Sequence, residues 1–290
     1  MTAHMKKKEA PGQALQRVCQ RHVAQALAHL RQAHLPESVH IVRKEIKRLR
    51  ALFRLTRGGL SPKKYQKTAK AMRLASKPLA ASRDARVIQK AFETLTGSKA
   101  RQFPDIRSRL QTRSSHAEQN FANFDSGTVA KSILKKVRSH LDDLSLKRLG
   151  WSEVRADLEK SYTRGRNAWN LARRRPSPEH LHAWRKRVKD LWYQLDFLCP
   201  DWPPETRKML AGLEVLGEEL GADHDLVLLE QFTREQHRQL QEAAQLQILI
   251  DAWRNQHAAV FRRLGSRLYA QPPDVLCARL EKAWKSWHNG

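Results

Sequence analysis

The sequence predicts an all-α protein on three observations. Gly and Pro number only 12 each in 290 residues, and the chain is rich in Leu, Ala, Arg, Lys and Gln, all strong helix formers. Apolar residues recur at spacings of three and four, and the alternation that marks strands is absent. Turn signals built from Gly, Pro, Ser and Asp divide the chain into lengths that suit single helices.

Taken in order, the first helix is expected from Gln13 to Ala33, with Leu15, Val18, Val23, Ala26, Leu27 and Leu30 turned inward. The second follows Pro36 and continues to Arg57. Gly58, Gly59 and Pro62 then break to a third helix, Lys63 to Leu79, and Ser82 is a candidate cap for a fourth that ends near Gly97. Pro104 to Asn123 and Thr128 to Leu146 supply two more, and Gly150 closes the first half. The second half reads as Trp151 to Arg175, Pro178 to Leu198, Pro203 to Leu220, Asp225 to Leu240, Ala243 to Tyr269 and Pro273 to Trp287. Six helices therefore precede Gly150 and six follow it. Residues 1–10 are expected to be a flexible tail. Gly165, Gly212 and Gly217 lie inside helices, where they suit close helix packing.

The stretch Val39 to Arg57 carries the functional signal. Val42, Ile46, Leu49, Phe53 and Thr56 form one apolar face, while His40, Arg43, Lys47, Arg50 and Arg54 form a basic stripe roughly 120° round the helix. Lys44 and Arg48 widen that face, and Glu45 is the only acid within it. From Ile46 to Arg83 there are twelve Lys and Arg and no Asp or Glu; Lys63, Lys67, Lys70, Arg73 and Arg83 extend the series. Like charges at helical spacing repel by a few tenths of a kcal/mol per pair. A polyanion that supplies the missing negative charge explains why the repulsion is tolerated. The whole chain carries +26, and the charge is concentrated: residues 1–150 hold 33 basic and 10 acidic side chains, residues 151–290 hold 22 and 19.

The same pattern recurs. The segment LHAWRKRVKDLWYQLDFL from Leu181 lies over VHIVRKEIKRLRALFRLT from Val39 at a constant offset of 142, pairing His182, Arg185, Lys186 and Lys189 with His40, Arg43, Lys44 and Lys47. Trp184, Val188, Leu191, Leu195 and Leu198 repeat the apolar face. Further on, the stretch from Leu74 matches that from Leu216 with one residue removed, which sets Arg83 and Asp84 over His224 and Asp225. These correspondences suggest an internal duplication with repeats at 11–150 and 151–288. Trp192 and Asp196 stand where the first repeat has Arg50 and Arg54, so weaker ligand binding is expected of the second.

These residues resemble the CHAD family, the α-helical domain named for its histidines, over roughly residues 11 to 288. The resemblance implies two pseudo-symmetric antiparallel helical bundles around a basic central groove or pore. It further implies binding of inorganic polyphosphate without catalysis, through His40, Arg43, Lys44, Lys47 and Arg50 and through His182, Arg185, Lys186 and Lys189. The ExExK signature of the triphosphate-tunnel domain fused to some members is missing, so the stand-alone type is the one resembled. A cytoplasmic location, with recruitment to polyphosphate granules, is the corresponding expectation.

The chemistry agrees with the resemblance. Polyphosphate offers neither base edges nor aromatic faces, so its receptor needs charge along a track, with Arg forks and Lys point charges meeting successive phosphates. Single-stranded nucleic acid, the alternative partner and a weaker one, also calls for exposed aromatics worth about 1–3 kcal/mol per base. Here only Tyr65, Tyr162 and Trp192 are candidates to border the groove. A phosphoryl-transfer enzyme would need carboxylates for a metal or a GxxxxGK[ST] loop, and neither occurs in the basic segment. Cys19, Cys199 and Cys277 lack metal or disulfide spacing, and thirteen histidines include no HExxH. His40 and His182 are open to a plain helix-start role as well as to a phosphate contact. Asp84 and Asp225 suit the first turns of their helices. No cofactor, metal, signal peptide or membrane span is expected.

Overall fold

The structure, a computed structural model, describes residues 3–32, 36–123, 126–237 and 241–290. These form eleven α-helices and three 3-10 turns, and no strand occurs among the described residues. The helices are α1 (Pro11–His29), α2 (Pro36–Phe53), α3 (Pro62–Ala75), α4 (Ala80–Thr96), α5 (Pro104–Asn123), α6 (Ser126–Asp142), α7 (Trp151–Arg174), α8 (Pro178–Leu198), α9 (Pro204–His237), α10 (Gln241–Leu268) and α11 (Pro273–Asn289). Pro occupies the first position of seven of them (α1 to α3, α5, α8, α9 and α11), where its missing N–H forfeits no helical bond.

The sequence-based expectation of six helices after Gly150 is corrected to five. The segments expected to end at Leu220 and restart at Asp225 are one continuous helix, α9. Gly221 is not a break there: a Cβ at that position would lie 2.9 Å from Nη2 of Arg185, so the glycine admits a side chain of α8. Asp225 accordingly sits mid-helix and Asp84 in the second turn of α4, neither in a first turn. Ser82 lies inside α4, whose N-cap is Leu79. The basic second helix ends at Phe53 and tightens into a 3-10 turn over Arg54–Gly59. That turn is fixed from outside, since the Gly58 N–H donates to Asp157 Oδ2 at 2.8 Å and a Cβ on Gly59 would meet Leu149 at 2.6 Å.

Three apolar clusters hold the helices. The main one joins both halves of the chain, from Leu15 and Val18 on α1 and Leu49 and Phe53 on α2 to Trp184, Leu191, Leu213 and Leu280. A second packs α1, α2, α3 and α6 through Val42, Ile46, Ala75 and Leu134. The third crosses the midpoint of the sequence: Ile88, Phe92 and Ile106 of α4 and α5 pack on Leu226, Leu229 and Ile250 of α9 and α10. The boundary between 150 and 151 is therefore not a boundary of packing. In the stretch expected to be a flexible tail, Met5 joins the main cluster. Met5 is 2% exposed, its N–H donates to Phe197 O at 2.9 Å, and Lys8 N–H reaches His288 O at 3.3 Å.

Both predicted apolar faces are buried. Val42, Ile46, Leu49, Phe53 and Thr56 on the first, and Trp184, Val188, Leu191, Leu195 and Leu198 on the second, are all essentially inaccessible. Burying such a side chain stabilises by about 1.5–3 kcal/mol, which fixes the rotation of each helix and with it the direction of the basic stripe. Gly165 and Gly217 face Tyr269 and Lys189 within 2.8 Å of an ideal Cβ, as the close-packing reading expects.

Candidate polyanion site at the crossing of two basic helices

Helix α2 packs against α1, α8 and α3. Its contact with α8 is pinned by a buried hydrogen bond, Gln194 Nε2 to the Ala51 carbonyl at 2.9 Å. The basic stripe of α2 then has α3 on one side and α8 on the other. Arg43 donates to the Ser76 carbonyl at the end of α3 at 3.1 Å, and Lys44 lies within electrostatic reach of Lys189 on α8.

The cations fall into two groups about this crossing. In the first, Arg50 is half-buried near Arg54, Arg73 and Arg187, and Lys186 lies near Arg50 and Arg187. Burial, then the charges of Arg54, Arg73 and Arg187, pushes the Arg50 guanidinium below its ordinary value, and Asp190 pulls it back. Burial, then Arg187 and Arg50, lowers Lys186 as well. A site where cations depress one another is a site that a negative ligand relieves. Asp190 is the acid inside this group: Arg54 Nη1 donates to its Oδ1 at 3.2 Å and Arg187 Nη1 to its Oδ2 at 3.3 Å. Burial raises its carboxyl above the usual carboxylate range, and Arg54, Arg187, Arg50 and Arg164 oppose that rise.

In the second group, Lys189 and Arg185 lean on α9, where Gly217 and Gly221 leave room for them. Burial lowers Lys189, Arg185 and Lys44 add to the lowering, and Glu218 and Glu214 oppose it. Its ammonium also sits 4.9 Å over the Trp192 ring. His182 stacks on His224 of α9 with ring centroids 3.9 Å apart. Arg48 is held beneath the crossing, 3.2 Å from Glu45 and 5.8 Å over the Tyr193 ring. Glu45 in turn meets buried His22 at 2.6 Å, so the one acid between Val39 and Arg57 points away from the stripe.

The remaining expected residues distribute unevenly. His40, Lys44 and Lys47 are exposed on α2. Arg73 joins the first group, whereas Lys67 lies on the flank of α3 near His140 of α6, and Lys63 and Lys70 face solvent. The Arg83 side chain lies outside the described residues. Arg187 and Asp190, which the sequence reading passed over, are central to the first group. Arg187 is aligned with Glu45 and Asp190 with Arg48, so a search for repeated cations hides both.

The aromatic expectations change as well. Tyr162 is fully buried, its hydroxyl donating to the Gln271 carbonyl at 3.0 Å, and burial pushes it up to about 12. Tyr65 stacks on Phe53 at 5.2 Å, and one face of Trp192 lies under Lys189. The three cysteines are buried free thiols, with Cys19 pushed up to about 12 by desolvation, far from the reactive thiolate range. Among the described residues no group of His, Cys, Asp and Glu is placed to hold a metal, and no helix is long and apolar enough to cross a membrane. Arg254, in the more acidic half, is committed to structure through Asp223 at 3.3 Å and Glu230 at 3.0 Å.

A cluster of cations flanking two crossed helices invites comparison with known proteins. The family model described as CHAD domain matches residues 17–234, most of the chain. The chain belongs to the CHAD family. Its structure is similar to the crystal structure of the CHAD domain from the plant Ricinus communis, with a TM-score of 0.62 at 20% identity over 92% of this chain and 94% of that one. At that identity the likeness speaks for the fold. No curated protein matches the chain. In this CHAD domain the two helices that carry the family resemblance in the sequence are the two that cross.

Proposed function

We propose that this CHAD domain binds inorganic polyphosphate without transforming it, and that binding brings the protein to polyphosphate granules in the cytoplasm. The observation that carries the reading is the Arg50 group: Arg54, Arg73, Lys186 and Arg187 gathered about Arg50 where α2 meets α8, with Asp190 paired to Arg54 and Arg187. Arg43, Lys44 and Lys47 continue the charge along α2, and His40, His182, Arg185 and Lys189 flank it. A flexible linear polyanion can take successive contacts along such a track. Half-buried aromatics already engaged by Phe53 and Lys189 do not make the stacking platform that single-stranded nucleic acid needs.

We further read residues 11–150 and 151–288 as copies of one ancestral unit. The reading is supported by exchange across the crossing: Lys186 lies beside Arg50, while its counterpart Lys44 lies beside Lys189, which rests on Trp192, the counterpart of Arg50.

Titration with long-chain polyphosphate, with single-stranded and duplex DNA as competitors, tests the function. Log affinity should fall steeply with log salt between about 50 and 200 mM, because each phosphate contact releases counterions. Neither DNA should compete effectively. Salt-independent binding, or hydrolysis of polyphosphate with Mg²⁺ or Mn²⁺ present, would sink the reading.

A further inference from the structure

Asp190 is an acid where the site should least want one. It lies one helical turn beyond Lys186 on α8, and its counterpart on α2 is Arg48, so the second half carries a carboxylate where the first carries a cation. Each of its oxygens takes one guanidinium, Arg54 at 3.2 Å and Arg187 at 3.3 Å, with Arg50 and Arg164 also within electrostatic reach. Those two arginines are not consumed by the pairing. Their side chains remain 23% and 34% exposed, and a guanidinium has five N–H donors, so each can meet a phosphate from the solvent side while Asp190 holds it from behind.

We propose that Asp190 is a built-in counter-ion that partly offsets Arg54 and Arg187 and repels the arriving polyphosphate chain, and so holds the affinity of the site below what its cations alone would give. The proposal rests on the polyphosphate reading. The carboxylate does two opposed things. Without ligand it offsets repulsion among the crowded guanidiniums and keeps them in place. With ligand it repels the arriving phosphates from a partly buried position, where charge acts more strongly than in water. It is a positioning residue, and its charge is separable from its shape: Asp190→Asn keeps the size and one acceptor oxygen while removing the competing charge.

The test compares wild type, Asp190→Asn and Asp190→Glu as full chains, titrated with long-chain polyphosphate across a salt series. Asp190→Asn should bind about tenfold more tightly at the low-salt end, since like-charge juxtaposition is costly. Its log affinity against log salt should steepen by about one, the equivalent of one added contact. Asp190→Glu should stay near wild type. Alone, Asp190→Asn should melt at or above the wild-type temperature, because a carboxylate whose folded pKa is raised by burial costs stability at neutral pH, and polyphosphate should raise its Tm by more than it raises the wild-type value. Unchanged or weaker binding with an unchanged salt slope overturns the proposal. So does an Asn variant that is unfolded and that polyphosphate does not restore, because the carboxylate would then be purely structural. If wild type itself fails to bind polyphosphate, the functional reading falls too; if wild type binds and only the Asn result fails, this inference alone falls.

Discussion

The two sides of the α2–α8 crossing hold their cations in different electrostatic company. On the Arg50 side, Arg54 and Arg187 pair with Asp190 while Arg50 and Arg164 lie within electrostatic reach of it, and burial together with mutual repulsion lowers Arg50 and Lys186. On the Lys189 side, Lys189 stands near Lys44 and Arg185 and also near Glu214 and Glu218 of α9, and it is covered further by Trp192. Net charge at a crossing of this kind depends less on how many cations a helix bears than on which helix packs next to it. Helix α3 brings Arg73 and no acid to the first side, while α9 brings two glutamates to the second. If the second half binds more weakly, as Trp192 and Asp196 lead one to expect, the acids that α9 brings to Lys189 would be a further cause.

The largest expected effect sets one side against the other. Replacing Arg50, Arg73 and Lys186 together with Ala removes three cations that do not touch Asp190, so no buried carboxylate is left without its partners. Polyphosphate affinity should fall by about a hundredfold or more, with the salt slope reduced by about three. The matching triple, Lys44, Arg185 and Lys189 to Ala, should cost about tenfold, since the charge of Lys189 is already partly answered by Glu214 and Glu218. Titration of both triples at one salt concentration makes the comparison. Equal losses would mean that the neighbouring acids do not matter and that the track is electrostatically uniform.

Much of this contrast was not legible in the sequence, for a physical reason. Helical period and burial act locally, so the apolar faces of α2 and α8, their starts at Pro36 and Pro178, and the basic stripe beside each face could be read from spacing alone. Pairings between distant positions could not. Nothing near Asp190 in the chain announces Arg54, and nothing near Lys189 announces Glu218. The same blindness explains Tyr162, whose spacing does not reveal that its hydroxyl reaches the carbonyl of Gln271. It also explains Gly221, which reads as a helix breaker until the side chain of Arg185 is seen to need its space. Lys63, Lys67 and Lys70 show a further limit of the sequence: the run of basic residues does not tell that Arg73 is the α3 cation lying near Arg50, while Lys67 lies near His140.

The acids supply a pH comparison of intermediate size. Burial pushes Glu45 up, but hydrogen bonds and charge from His22 and Arg48 outweigh it, leaving the carboxyl below its ordinary value. A depressed carboxylate contributes stability above its unfolded pKa and loses it as pH falls through the folded value. Thermal stability should therefore hold from neutrality to about pH 5 and decline below about pH 4, the unfolded carboxylate range. Glu45→Gln should be less stable than wild type at neutral pH and lose less on acidification. Melting curves from pH 7 to 3 decide it, and parallel curves for the two proteins would show that Glu45 does not anchor α2.

The smallest expected effect separates position from charge on the Lys189 side. In Gly221→Ala the new methyl would lie 2.9 Å from Nη2 of Arg185. What must move is the end of a long, flexible side chain, not backbone, so the steric cost is low. Alanine in a helix interior gains up to about 1 kcal/mol over glycine, so Tm should hold or rise. Arg185 keeps its charge but shifts along α9. If that side contributes mainly diffuse charge, affinity should fall only about twofold, with the salt slope unchanged, because the number of counterions released is the same. A loss as large as that of the Lys44, Arg185 and Lys189 triple would show that Arg185 makes a directional contact with phosphate. The two sides of the crossing would then differ in strength but not in kind.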